Sequence, residues 1–340
     1  MRVQLITRGA AKRLGVLAGL IVVLLAVAWW TMIRMPGNSH TGPLPTMTKA
    51  ETELAARLKD DIETLAGRIG VRNRFTLKAY QEAANHIEAR LGESGLEPQR
   101  QACPPRQPGL TPGNIWCEVR GSTSPERIIV VGAHYDSYAD SPGADDNGSG
   151  VAAVLALAER LAKAAPKKTL RFCLFADEEP PQFQTEEMGS LVFARWCQEK
   201  GESIDAMISI ETIGWYRDEP NSQKYPRPLN LAYPNEGNFI GLVSDVRSRA
   251  LLRDVIGTFR STTAFPSEGG ALPAALPGIS WSDHWAFWQT GVPALMVTDT
   301  APFRYPHYHT PEDTPDKIDT DRMARVVVGL ERVLRHLADQ

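Results

Sequence analysis

The run 127–133, Arg-Ile-Ile-Val-Val-Gly-Ala, is what most constrains the fold of this chain. It is apolar without alternation, so both faces of the strand must be covered. That happens at the centre of a mostly parallel sheet with helices on each side. Similar runs recur at 170–176, 206–213 and 294–299, and shorter strand candidates lie at 114–119 and 238–243. Helical periodicity marks 149–164, 189–200 and 247–259 between them. It also marks 51–69 and 77–91 ahead of the first strand, and 322–337 at the end. Strands alternating with helices predict an α/β fold, a three-layer sandwich around a mostly parallel central sheet. The Gly/Pro/Ala-rich stretch 266–278 reads as a long loop. The 340 residues contain no internal repeat, and residues 49–340 are expected to form one domain.

The N-terminus obeys different rules. Arg2, Arg8, Lys12 and Arg13 precede an uncharged run from Leu14 to Ile33, and Arg34 closes it. About 20 apolar residues span a bilayer core as a helix. The run ends in Trp29 and Trp30, and tryptophan favours the membrane interface. Residues 1–35 therefore read as a single-pass signal anchor, with a cleaved signal peptide as the alternative. The basic end is expected to stay in the cytoplasm and the remainder to be exported, periplasmic or extracellular. Residues 36–48, rich in Pro, Gly, Ser and Thr, read as a flexible linker.

Charge and cysteine content narrow the function. The formal net charge is −3, and no Lys/Arg run lies beyond the N-terminus, which argues against a nucleic-acid partner. The four cysteines, Cys103, Cys117, Cys173 and Cys197, show no CxxC or Cys/His zinc-finger spacing. In an oxidising compartment, Cys103–Cys117 and Cys173–Cys197 are possible disulfides among three connectivities.

The chemistry gathers at the carboxyl ends of the strands, where open α/β sheets bind ligands. His134-Tyr135-Asp136 follows one strand, and Gly143-Ala144-Asp145-Asp146 leads into the next helix. Asp177-Glu178-Glu179 follows the strand at 170–176. Glu211 sits inside the apolar run of the next strand, where a carboxylate is costly unless paired or metal-bound. Tyr308-His309-Thr310 follows the last strand. Imidazole and carboxylate without thiolate suit catalytic zinc. Two metals about 3.5–4 Å apart need a carboxylate between them and two or three further ligands each. His134, Asp146, Glu179, Glu211 and His309 meet that count. Glu178, beside Glu179, is the candidate to take and return the proton of an attacking water. Asp136 is placed to accept the second N–H of His134. Asp145 and His307 are the near neighbours of two candidate ligands and are expected to support the site or lie at the surface.

In this order the motifs resemble the di-zinc exopeptidase family that includes bacterial leucyl aminopeptidases, glutamate carboxypeptidase and glutaminyl cyclases. Ser282-Asp283-His284 and Gly291-Val292-Pro293-Ala294 are similar to that family too, so the resemblance covers roughly 127–317. It implies the zinc-exopeptidase, phosphorylase/hydrolase-like sandwich and two zinc ions. By resemblance, Asp146 bridges the metals, His134 and Glu211 complete one, and Glu179 and His309 complete the other. It also implies that Glu178 is the general base and acid and that Asp136 orients His134. Glu211 departs from the pattern, because aminopeptidases of this family often carry Asp there.

The expected activity is hydrolysis of N-terminal peptide bonds, with a peptide as substrate. The alternatives are a glutaminyl cyclase-like acyltransferase, which uses one zinc, and a non-catalytic membrane-tethered binding module. Trp215, Tyr216, Trp285, Phe287 and Tyr308 are candidates to line a side-chain pocket.

Overall fold

The computed structural model of the protein describes residues 8–103 and 113–340; the basic residue Arg2 lies outside them. Helix α1 (Arg8–Ala28) continues through the wider turns of Trp29–Ile33. Together Gly9–Ile33 is long and apolar enough to cross a membrane, and its apolar window has no buried residue. Helix α2 (Lys49–Ile62) opens on a capping box. Thr48 Oγ1 accepts the Glu51 N–H at 3.2 Å, and Glu51 Oε2 accepts the Thr48 N–H at 2.7 Å. Helix α3 (Leu77–Glu93) follows.

The sheet has eight strands. They are β1 (Gln99–Ala102), β2 (Gly113–Val119), β3 (Ser124–His134), β4 (Lys168–Phe175) and β5 (Ser203–Ile210). The rest are β6 (Ile240–Ser244), β7 (Ser267–Ala271) and β8 (Ala294–Thr298). Their order is β1-β2-β4-β3-β5-β8-β6-β7. The centre β4-β3-β5-β8 is parallel, as is the outer pair β6-β7. β1 and β2 add to it antiparallel, and β6 pairs antiparallel with β8.

The period of two within β3 sorts its side chains into two cores. Ile129, Val131 and Ala133 pack with α2, α3, α4 (Gly150–Leu161), α6 (Arg249–Thr262) and α9 (Thr320–Ala338). Ile128 and Val130 pack with α5 (Gly189–Glu199) and α7 (His284–Gln289). A last short helix, α8 (Ala301–Arg304), follows β8. This is the three-layer α/β sandwich expected from the unalternating strand runs.

Several details differ from the sequence reading. Glu211 is not inside a strand: β5 ends at Ile210, and Glu211 is the next residue, its N–H still donating to the Val297 carbonyl at 2.9 Å. The supposed loop 266–278 contains the edge strand β7. Cys117, Cys173 and Cys197 are buried thiols, which removes both proposed disulfides. Burial pushes the Cys117 and Cys197 thiols up to about 12.

The segment 36–48 is not a free tether either. Met35 is buried, the Pro36 and Gly37 carbonyls accept from Arg260, and the Pro45 carbonyl accepts from Arg325. Ser39 Oγ accepts the Ser267 N–H at 2.9 Å.

Candidate metal centre

Each candidate residue arrives from the end of a strand or the loop after it. His134 is the last residue of β3, and Glu178 and Glu179 follow β4 by way of Asp177, which has φ 53°. Glu211 follows β5 and precedes Thr212 at φ 47°, while His309 has φ 60° in the segment after α8. Asp146 comes from the turn between β3 and α4. That turn needs Gly143: its φ is +62°, and a Cβ there would stand 2.3 Å from the Asp146 carbonyl oxygen.

The side chains converge on Asp146. Its Oδ1 is 3.3 Å from His134 Nε2, and its Oδ2 is 3.0 Å from His309 Nε2. Glu211 Oε2 is 3.2 Å from His134 Nε2, and Glu179 Oε1 is 3.4 Å from His309 Nε2. One carboxylate thus lies between two imidazoles, and each imidazole has a second carboxylate of its own. Glu178 stands further off, with Oε2 4.0 Å from His134 Nε2.

The electrostatics call for cations. Burial, and then the charge of Asp146, push Glu179 and Glu211 up to about 7. Glu178 is raised well above the usual range, first by burial and then by Glu211 and Glu179. Burial pushes His134 down, but Glu211 and Glu178 outweigh it and hold the imidazole well above its ordinary value. Both carboxylate oxygens of Asp146 and Oε1 of Glu179 are buried without a hydrogen-bond partner among the described residues. Orphaned anionic acceptors facing imidazole nitrogens are what a divalent cation satisfies. His134, Asp146 and Glu179 each offer a ligand atom within 4.8 Å of the others. The donor set of imidazole and carboxylate fits zinc.

A supporting shell holds the donors. Asp136 Oδ1 lies 3.4 Å from His134 Nδ1, and its two oxygens accept the N–H groups of Glu178 at 3.1 Å and Glu179 at 3.0 Å. Asn147 Nδ2 and the Ser282 hydroxyl both donate to Glu211 Oε2, at 3.1 and 2.9 Å. Tyr138 and Tyr308 sandwich the His309 ring, with centroids 3.9 and 3.8 Å away. Asp145 is not among the donors; it accepts the Gly214 N–H at 2.9 Å. His307 packs edge-on against Trp215 and Tyr305.

Three supporting residues carried no motif signal. Asp313 accepts the N–H groups of Asp145 and Asp146 at 2.9 and 3.1 Å. Asp299 takes the Thr212 hydroxyl and the Trp215 N–H, both at 2.7 Å. Buried Arg72 donates to the carbonyls of Tyr135 and Gly143, both at 2.8 Å, and to that of Pro142. Burial lowers the Arg72 guanidinium to about 10. Asp313 lies four residues beyond His309, and its proximity to that motif is its one signal in the sequence.

Beside Glu211 and Tyr308 opens a largely apolar pocket, whose walls include Tyr225, Tyr233, Phe239, Val243 and Phe303. Of the five aromatics expected there, only Tyr308 takes part. Trp215 packs on Tyr305, Tyr216 lies in the main core, and Trp285 and Phe287 project from α7 into the core on its side of the sheet.

A family model described as Peptidase family M28 matches residues 114–332. The chain is 34% identical over 290 residues to the uncharacterized protein YfbL of Escherichia coli K12, covering 82% of this chain and 87% of that one.

The chain belongs to peptidase family M28.

Another relative, a probable leucine aminopeptidase of Arthroderma otae, is 28% identical over 223 residues. The match covers 60% of this chain and spans only 53% of that relative. Among solved structures the fold is similar to BSAP, a zinc aminopeptidase from Bacillus subtilis, at TM-score 0.66 and 15% identity. That likeness covers 88% of this M28 chain and 97% of BSAP.

Proposed function

We propose that this M28 peptidase is an aminopeptidase that works with two zinc ions, held by His134, Asp146, Glu179, Glu211 and His309. The position of the Asp146 carboxylate, with one oxygen toward each histidine, carries the reading. Asp146 would be the shared ligand, His134 and Glu211 would hold one ion, and Glu179 and His309 would hold the other. Zinc held in this cradle would supply Lewis acidity and lower the pKa of water toward neutrality.

The remaining work belongs to the protein. Glu178 takes the proton of the attacking water and returns it to the leaving amine. Its neighbour Glu179 is a donor to metal, so the loop must hold the two carboxylates in different places. Asp136 does this by accepting both of their backbone N–H groups while it orients His134. The pocket beside Glu211 and Tyr308 receives the first side chain of the peptide and keeps water from it.

The helix Gly9–Ile33 is read as a membrane anchor with residues 49–340 exported. Two features support this: the uncharged run from Leu14 to Ile33, whose apolar side chains are largely exposed, and the basic residues Arg2, Arg8, Lys12 and Arg13 ahead of that run.

The test is a panel of aminoacyl chromogenic substrates with free and acetylated α-amines. The free amines should be hydrolysed, and the acetylated ones should not. Chelation should abolish the rate, and added zinc should restore it. Equal rates on both sets, or rates indifferent to chelation, would exclude the reading.

A further inference from the structure

The way α1 joins the domain fixes where the membrane lies. The Arg34 guanidinium sits over the Trp30 ring, 4.1 Å from its centroid, and the Arg34 carbonyl accepts from Arg253 Nη1 at 2.6 Å. From there the chain climbs along α6: Met35 is buried, Pro36 and Gly37 bond Arg260, and Ser39 bonds Ser267 at the start of β7. The helix therefore meets the domain beside the N-terminal end of α6. That end follows the C-terminus of β6, which runs antiparallel to β8. The metal residues lie at the C-terminal ends of β3, β4, β5 and β8. The helix thus enters at the sheet edge opposite the candidate centre.

This entry point has a distinctive surface. Two shallow clefts flank Trp30, one walled by Arg249 and Arg253, the other by Arg34 and Arg253. Arg247 and Arg249 are exposed, and neither has an ion pair or side-chain hydrogen bond among the described residues. The neighbouring acids are engaged elsewhere. Asp245 accepts the Ser248 N–H at 2.8 Å, and Asp254 bonds His336 and Gln340, both at 2.9 Å. Trp30 and Val246 are 60% and 47% exposed, so apolar surface lies beside arginines that have no ion pair among the described residues. Tryptophan at the end of an apolar helix sits at headgroup depth. Guanidinium groups at that depth meet lipid phosphates, whose oxygens they bind in a two-pronged fork.

We propose that Trp30, Arg34, Arg249 and Arg253, with Arg247 and Val246 at the rim, form a binding site for anionic lipid headgroups. It seats the domain on the bilayer with the metal centre opening away from the surface. The proposal rests on the reading of Gly9–Ile33 as a membrane span, and the experiment separates the two. The full chain is incorporated into nanodiscs of equal phosphatidylcholine and phosphatidylglycerol. Lipids retained after detergent release are counted by native mass spectrometry.

The wild type should retain phosphatidylglycerol over phosphatidylcholine by about 3- to 10-fold, as expected for a few arginines near an anionic surface. R249Q/R253Q should bring that ratio close to one while peptidase activity in detergent is unchanged. R247Q/R249Q, which keeps the Arg253 bond to Arg34, should lower it partway. Equal retention by both variants and the wild type would overturn the headgroup site. So would displacement of the lipid by millimolar glycerol phosphate, because the site would then be one for soluble phosphate. A chain that fails to enter nanodiscs and is extracted by alkaline carbonate would overturn the membrane reading, and the headgroup site with it.

Discussion

Asp146 stands 3.0 Å from His309 through Oδ2 and turns its other oxygen toward His134. Neither oxygen has a hydrogen-bond partner among the described residues, although both are buried. A side chain left in that state is costly, and it marks the point around which the candidate centre is arranged.

If Glu178 moves the proton and does not hold metal, Glu178→Gln should separate the two functions. The expected fall in kcat is about 10²- to 10⁴-fold, with zinc content unchanged. Steady-state kinetics beside metal analysis of the same sample checks it. A variant that loses zinc in proportion to activity would place Glu178 among the ligands.

Asp136 acts through its neighbours. Asp136→Asn keeps the shape but turns one acceptor into a donor facing the N–H of Glu178 or Glu179. Zinc affinity or activity should drop by about 10- to 100-fold. A competition titration with a chromogenic chelator measures the affinity directly.

Glu211→Asp tests whether the site depends on the longer arm of Glu211. Asn147 and Ser282 hold the longer carboxylate at 3.1 and 2.9 Å, where it reaches to 3.2 Å from His134 Nε2. Shortening the arm breaks those bonds, so the variant should bind zinc about 10-fold less tightly. Unaltered affinity would mean that the loop simply follows the shorter side chain.

Away from the centre, Asp61 gives a pH prediction. It is fully buried and bonds Arg90 Nε at 2.8 Å and His86 Nε2 at 3.2 Å. Burial raises its carboxyl, but the bonds to His86 and Arg90 outweigh this and hold it below the ordinary value. A depressed carboxyl contributes stability above its unfolded pKa of about 3.9, and that stability is lost as pH falls through the folded value. Asp61→Asn should cost about 3 kcal/mol at pH 7, since Arg90 keeps only Glu159 and Glu93. The gap from wild type should narrow below about pH 4. Denaturant melts at the two pH values would contradict this if the gap were constant.

The sheet centre and the five candidate ligands were legible because burial on both faces leaves unalternating runs, and the polar motifs begin where those runs stop. What escaped depends on partners distant in sequence. Strand β7, Ser-Glu-Gly-Gly-Ala, has almost no apolar side chain to announce it; its pairing with β6 is made by backbone alone. Asp313 and Arg72 look like ordinary surface residues until the fold brings each to the Asp146 loop. The segment 36–48 has the composition of a tether, yet side chains of α6 and α9 capture its carbonyls. Glu211 was noticed for its cost inside an apolar run, and its place one residue past β5 is what lets it turn toward His134.

The central claim is that Asp146 lies between two zinc ions. Zinc-edge anomalous diffraction from crystals of the zinc-loaded protein tests it most directly. Two peaks are expected about 3.5–4 Å apart, one on each side of the Asp146 carboxylate. A single peak, or two peaks that do not share Asp146, would contradict it.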